Sequence, residues 1–161
     1  MGKPKGSLKQ PLSLGIETYR DGAWQRIGDA RILKDEERFS LCMYSAGVAV
    51  EGMLRALCCI QSKEFDERHD LRKLAVRVRD LGLLKSERDP DFVSLVNKVA
   101  RKWQNTMRFS SDAQVRRFLL SIGDYGARKP TMKYISTEFF NDCSRIVRRC
   151  AVLWQRSHKK N

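Results

Sequence analysis

Residues Leu41 to Ile60 constrain this chain more than any other stretch, because only Glu51 and Arg55 interrupt twenty otherwise uncharged positions. Projected on a helical wheel, the segment is apolar around nearly its whole circumference. The only polar strip holds Ser40, Tyr44, Glu51 and Arg55. A helix of that kind needs neighbours on most sides, so the spacing predicts a central helix in a helix-on-helix fold. Glu51 and Arg55 stand at i and i+4 with the acid first, the favourable order for an ion pair. The same two charges break the run below the roughly 18 apolar residues a membrane span requires, and no membrane partner is expected.

The 3.6-residue period recurs along the chain, and no strand-like alternation is sustained. Trp24, Ile27, Ala30 and Leu33 predict a helix over residues 21–36. Leu71, Leu74, Ala75 and Val78 predict one that starts behind Asp70 and ends near Gly82. Asp89-Pro90 reads as a cap and first turn for a helix carrying Phe92, Leu95, Val96, Val99 and Trp103. Ser110 or Ser111 opens a short helix through Val115, Phe118, Leu119 and Ile122, which stops at Gly123. "GDYGARKPTMKY" (123–134) reads as the longest internal loop, and Ser136 or Thr137 as the opening of the last helix. There Phe139, Cys143, Ile146, Val147, Cys150, Leu153 and Trp154 share one face, while Arg145, Arg148, Arg149 and Arg156 share the other. The expected architecture is an all-α bundle of five or six helices joined by short loops. At 161 residues it forms one domain, over 21–157, between a basic Gly/Pro/Ser-rich arm (1–20) and a basic tail (158–161).

The charge is unevenly placed. Residues 1–91 carry 17 basic and 15 acidic side chains, whereas residues 92–161 carry 15 and 4. Such asymmetry predicts an electropositive face in the C-terminal half, suited to nucleic acid or to an acidic protein partner. The alternative is a solvated basic surface with no ligand. Arg116, Arg117, Arg128, Lys129, Lys133, Arg145, Arg148, Arg149 and Arg156 are the candidates to track a phosphate backbone, and such binding would be indifferent to sequence and sensitive to salt. Phe109, Tyr125 and Tyr134 are interleaved aromatics able to stack bases, although Phe109 is expected in the core.

Catalytic and metal chemistry find little footing. The five cysteines form no CxxC pair and the two histidines lie far from any ligand spacing, so neither a metal nor another cofactor is expected. Cys143 and Cys150, seven apart on an apolar face, read as buried free thiols in a reducing cytoplasm. Glu138 and Asp142, one helical turn apart, read as a solvent-facing pair. His69, just ahead of Asp70, reads as part of a hydrogen-bonded helix start. It could instead join Glu51, Arg55 and Arg108 in a polar pocket able to hold a phosphate.

"YSAGVAVEGMLRALCCIQSKEFDERHDLRKL" (44–74) resembles the HEPN family, the higher eukaryotes and prokaryotes nucleotide-binding domains. Ala46, Ala49, Glu51, Leu54, Arg55, Ala56 and Leu57 match that family's A-x-x-A-x-E-x-x-L-K-A-L helix. His69, Asp70, Leu71 and Leu74 match the H-D-L-x-x-L block that follows it. "WQNTMRFSS" (103–111) is similar to the later aromatic–Arg–aromatic segment, with Arg108-Phe109 where Arg-Tyr is common. The resemblance implies an antiparallel helical bundle, often dimeric, and a place in prokaryotic defence, toxin–antitoxin or CRISPR systems. Many family members are metal-independent ribonucleases carrying Arg, four to six residues, then His. Neither His69 nor His158 has an arginine at that spacing. The resemblance therefore implies a non-catalytic member that binds RNA, single-stranded DNA or a nucleic-acid-associated protein in a multi-component complex. The alternatives are a ribonuclease with a divergent site formed by His69 and Arg108 across a dimer interface, and an adaptor for an acidic partner such as a nucleotidyltransferase.

Overall fold

A computed structural model describes residues 15–60, 69–82 and 90–158 of the chain. Six α-helices and one 3-10 turn make up these residues: α1 (Ile16–Asp35), α2 (Phe39–Cys59), α3 (Leu71–Asp80), α4 (Pro90–Lys102), the 3-10 turn Asn105–Phe109, α5 (Asp112–Ser121) and α6 (Met132–His158). No strand occurs among the described residues, and the chain is an all-α bundle.

The apolar circumference of α2 dictates the arrangement. It packs against α1, α3, α5, α6 and the 3-10 turn, and Met43, Ala46, Ala49, Val50, Met53, Leu54 and Leu57 are fully buried. Length and composition alone would let α2 cross a membrane, but 72% of its most apolar window is buried inside the bundle. It behaves as a core helix. The link Glu36–Arg38 is so short that α1 and α2 become antiparallel neighbours. Ala23 of α1 lies against Gly52, where an added Cβ would come within 3.2 Å of it, so small residues let the two backbones approach closely. Trp24 follows the expected α1 period but is 43% exposed, and the neighbouring Ala23 takes the buried position instead.

The helix ends are set by local chemistry. Asp70 caps α3 as its position predicts, its carboxylate accepting from the amides of Arg72 at 3.0 Å and Lys73 at 3.2 Å. Ser111 and Gln114 form a reciprocal capping box on α5. Gly82 and Gly123 end α3 and α5 in the left-handed region, at φ 67° and 78°. The cap expected at Asp89 lies outside the described residues, as do most of the N-terminal arm and the basic tail.

Two boundaries differ from expectation. α1 starts at Ile16, taking in residues that composition places in the arm. α6 starts at Met132 and not near Ser136, because the Thr131 hydroxyl accepts the Tyr134 amide at 3.2 Å and caps the helix earlier. The α6 stripe Phe139, Cys143, Ile146, Val147, Cys150 and Leu153 is buried as its spacing predicts.

Candidate nucleic-acid interface

The polar strip of α2 is met from α3. Glu51 is buried and uses both carboxylate oxygens: Arg55 Nε donates to Oε1 at 2.8 Å, and His69 Nδ1 lies 2.9 Å from Oε2. Arg55 also places its guanidinium 5.9 Å from the Tyr19 ring centre on α1. His69 adopts a left-handed backbone conformation, φ 52°, that turns the chain into the Asp70 cap. One cluster thus ties α1, α2 and the start of α3 together. Arg108, the fourth member of the expected pocket, is not brought to it. It sits exposed on the 3-10 turn, with its guanidinium 4.6 Å from the neighbouring Phe109 ring. Phe109 itself is 79% exposed, contrary to the expected core position, because the tight turn buries Met107 instead.

The C-terminal basic residues divide by what they touch. Arg116 is half-buried and donates to the backbone carbonyls of Pro130 at 3.0 Å and Lys129 at 3.3 Å, so it clamps the loop after α5. Lys133 forms an exposed pair with Glu37 at 3.1 Å. Arg117, Arg128, Lys129, Arg145, Arg148, Arg149 and Arg156 are exposed. At 100° per residue, Tyr134, Glu138, Arg145, Arg149 and Arg156 fall on one strip of α6, with Arg148 beside it. The strip runs for about 33 Å along the helix.

Carboxylates on that strip do not oppose it, because α4 neutralises them. Lys98 Nζ reaches Glu138 at 2.8 Å and Asp142 at 2.7 Å. Lys102 is buried, its ammonium donating to the Tyr125 hydroxyl at 3.0 Å with Glu138 at 3.6 Å and Asp124 at 3.9 Å. Tyr125 in turn donates to Glu138 at 3.3 Å, and Arg101 pairs with Asp124 at 3.0 Å. Glu138 and Asp142 are therefore an ion-pair set and not a solvent-facing pair, because an ammonium already occupies the space between them. Burial alone would raise the Glu138 pKa, but hydrogen bonding from Lys98, the charges of Lys102 and Lys98, and the Tyr125 hydroxyl together hold it below its ordinary value. Burial pulls Lys98 down, and its hydrogen bonds to Asp142 and Glu138 outweigh that, leaving it raised. Tyr125 is pushed far up by burial and then by the Glu138 charge, so its hydroxyl stays a donor.

This network forms the floor of a cleft of about 930 Å³ between α4, the loop 123–131 and the first turn of α6. Its chemistry was not singled out from the sequence, yet a signal existed. Lys98 and Lys102 stand at i, i+4 on α4, and Glu138 and Asp142 at i, i+4 on α6, a complementary pair of spacings.

A scan of protein-family profiles matches the profile described as HEPN domain over residues 16–151. The chain belongs to the HEPN family. Searches of curated proteins and of solved structures returned no significant match. The match spans the whole of the α1–α5 region and most of α6, so the HEPN unit contains both the Glu51 cluster and the α4–α6 network.

Proposed function

We propose that this HEPN domain is a non-catalytic binding module for the backbone of RNA or single-stranded DNA, acting within a multi-component prokaryotic defence or toxin–antitoxin assembly. One observation carries the reading: the α6 strip presents exposed Arg145, Arg148, Arg149 and Arg156, while the carboxylates beside it are neutralised by Lys98 and Lys102. Four exposed guanidinium groups along one helix, of which Arg145 also lies 3.9 Å from Asp142, suit a polyanion. The Glu51 cluster serves the fold, since a buried carboxylate shared by Arg55 and His69 joins three helices.

The test is a salt titration of binding to a single-stranded oligonucleotide. Each phosphate contact removed lowers the slope of log K against log salt by about 0.7. Reversing Arg145, Arg148 and Arg149 to Glu therefore flattens the slope by about 2 and abolishes measurable binding at physiological salt. Binding that survives the reversal, or is insensitive to salt, overturns the reading. A stable co-purifying acidic protein with weak nucleic-acid binding would favour the adaptor role instead.

The half-exposed imidazole of His69 beside a carboxylate also supports a second reading, a metal-independent endoribonuclease. RNA cleavage in EDTA that disappears in His69→Ala and in Arg108→Ala would establish it.

A further inference from the structure

The cleft at the N-terminal end of α6 is built more completely than a solvated basic surface requires. Five cationic side chains (Lys98, Arg101, Lys102, Arg128 and Lys129) line it against only two carboxylates, Asp124 and Glu138. Those two carboxylates pair with Lys98, Arg101 and Lys102, although the buried Asp124 Oδ2 accepts no hydrogen bond among the described residues. Arg128 and Lys129 are left at the mouth without a side-chain partner among the described residues. They are nevertheless held in place. Arg116 fixes the carbonyls of Lys129 and Pro130, and the Arg128 amide donates to the Tyr125 carbonyl at 3.1 Å.

Aromatic surface lies in the same cleft. Tyr125 is committed to the floor through its hydroxyl, but Tyr134 is 58% exposed and lines the opening. Tyr134 also heads the α6 strip, about 16 Å before Arg145. A strand whose phosphates follow the arginines therefore arrives at an aromatic ring flanked by two unpartnered cations. The volume suits one nucleotide, and its mixture of charge with an aromatic surface is typical of a ligand site.

We propose that this cleft holds one unpaired nucleotide of the bound strand, with its base stacked on Tyr134 and its phosphate at Arg128 and Lys129. The inference rests on the backbone-binding reading of α6 and adds a consequence to it. The domain selects single strands over duplexes, because a base inside a duplex is stacked on both faces and has none to offer the ring. Backbone contact alone would accept both.

The experiment compares a short single-stranded oligonucleotide, the same sequence as a duplex, and adenosine monophosphate. It uses the unmodified protein, Tyr134→Ala, Tyr134→Phe and Arg128→Ala with Lys129→Ala. Tyr134→Ala is expected to weaken single-strand binding about 5- to 150-fold, the effect of losing one base–aromatic stack, with duplex binding and thermal stability unchanged. Tyr134→Phe keeps the ring face and binds like the unmodified protein. The Arg128/Lys129 double variant loses single-strand affinity and reduces the salt slope. If Tyr134→Ala leaves single-strand affinity intact while reversal of the α6 arginines still abolishes it, the cleft proposal falls and the backbone reading stands. If no oligonucleotide binds at all, both fall. Adenosine monophosphate binding as tightly as the oligonucleotide would make the cleft a free-nucleotide site and overturn the strand assignment.

Discussion

The indole of Trp103 lies directly on Gly47 of α2, and its Nε1 donates to the Tyr44 carbonyl at 3.3 Å. A methyl group built on Gly47 would overlap the indole ring. Helix propensity by itself favours alanine over glycine there by about 1 kcal/mol, but overpacking a core usually costs about 1–3 kcal/mol. Since the overlapping group is a rigid ring hydrogen-bonded to the same helix, the steric cost wins. Gly47→Ala is expected to lower stability by about 1–2 kcal/mol net and to shift the tryptophan fluorescence of the folded protein. A variant at least as stable as the parent would show that Trp103 moves aside freely.

The Glu51 cluster separates an anchor from a catalytic group by its energetics. Glu51→Ala takes from Arg55, whose side chain is only 12% exposed, the carboxylate it holds at 2.8 Å, and removing one partner of a buried pair costs up to about 3–5 kcal/mol. His69 is 55% exposed, so His69→Ala is expected to cost below about 1 kcal/mol. Urea unfolding of the two variants measures both. Equal losses would mean that the imidazole, and not the guanidinium, is the main partner of the carboxylate.

Much of this fold was readable from pattern because α2 is apolar on every side and must be surrounded. The Asp70 cap and the stops at Gly82 and Gly123 were readable because each depends on one residue's local chemistry. Phe109 was not, since its exposure follows from a three-residue turn period that hydrophobicity at helical spacing does not report. The contact that fixes α5 against α2, the Ser40 amide donating to Asp112 at 2.7 Å, joins residues 72 positions apart. The arginine strip was visible as spacing on one helix. Its neutralised carboxylates and the cleft at its head were not, because they need α4, α6 and the loop 123–131 brought together. Arg116 shows the same limit: counted as a free cation, it spends its guanidinium on two carbonyls.

The α4–α6 network predicts a defined pH response. Glu138 has a lowered pKa in the folded state, so its contribution is present above about 4.5 and is lost as pH falls through the folded value. Lys98 and Tyr125 are raised, so theirs is complete below about 10 and is lost as pH rises beyond it. Lys98→Met is therefore expected to be least stable relative to the parent between these limits. The difference should shrink in acid, where Glu138 takes up a proton and its ion pair with Lys98 is lost. Urea titrations from pH 3 to pH 7 test the acid side. A difference that does not change with pH would mean that Lys98 acts through packing of its aliphatic stem alone.

Thiol chemistry offers a test of the core itself. All five cysteines are free, and Cys42, Cys58, Cys143 and Cys150 are buried while Cys59 is half-buried. Burial pushes the Cys42 thiol up to about 12 and those of Cys143 and Cys150 well above the ordinary range, so none supplies thiolate at neutral pH. Cys59 is also raised by burial, with Arg55 and Arg77 opposing the shift. A thiol-reactive dye at pH 8 is therefore expected to label Cys59 alone, more slowly than a free thiol, and the other four only after urea is added. Cys59→Ser should abolish labelling of the native protein. Fast labelling of Cys143 or Cys150 would mean that α6 opens from α2 under native conditions, and the arginine strip would then lack the rigid support that strand binding requires.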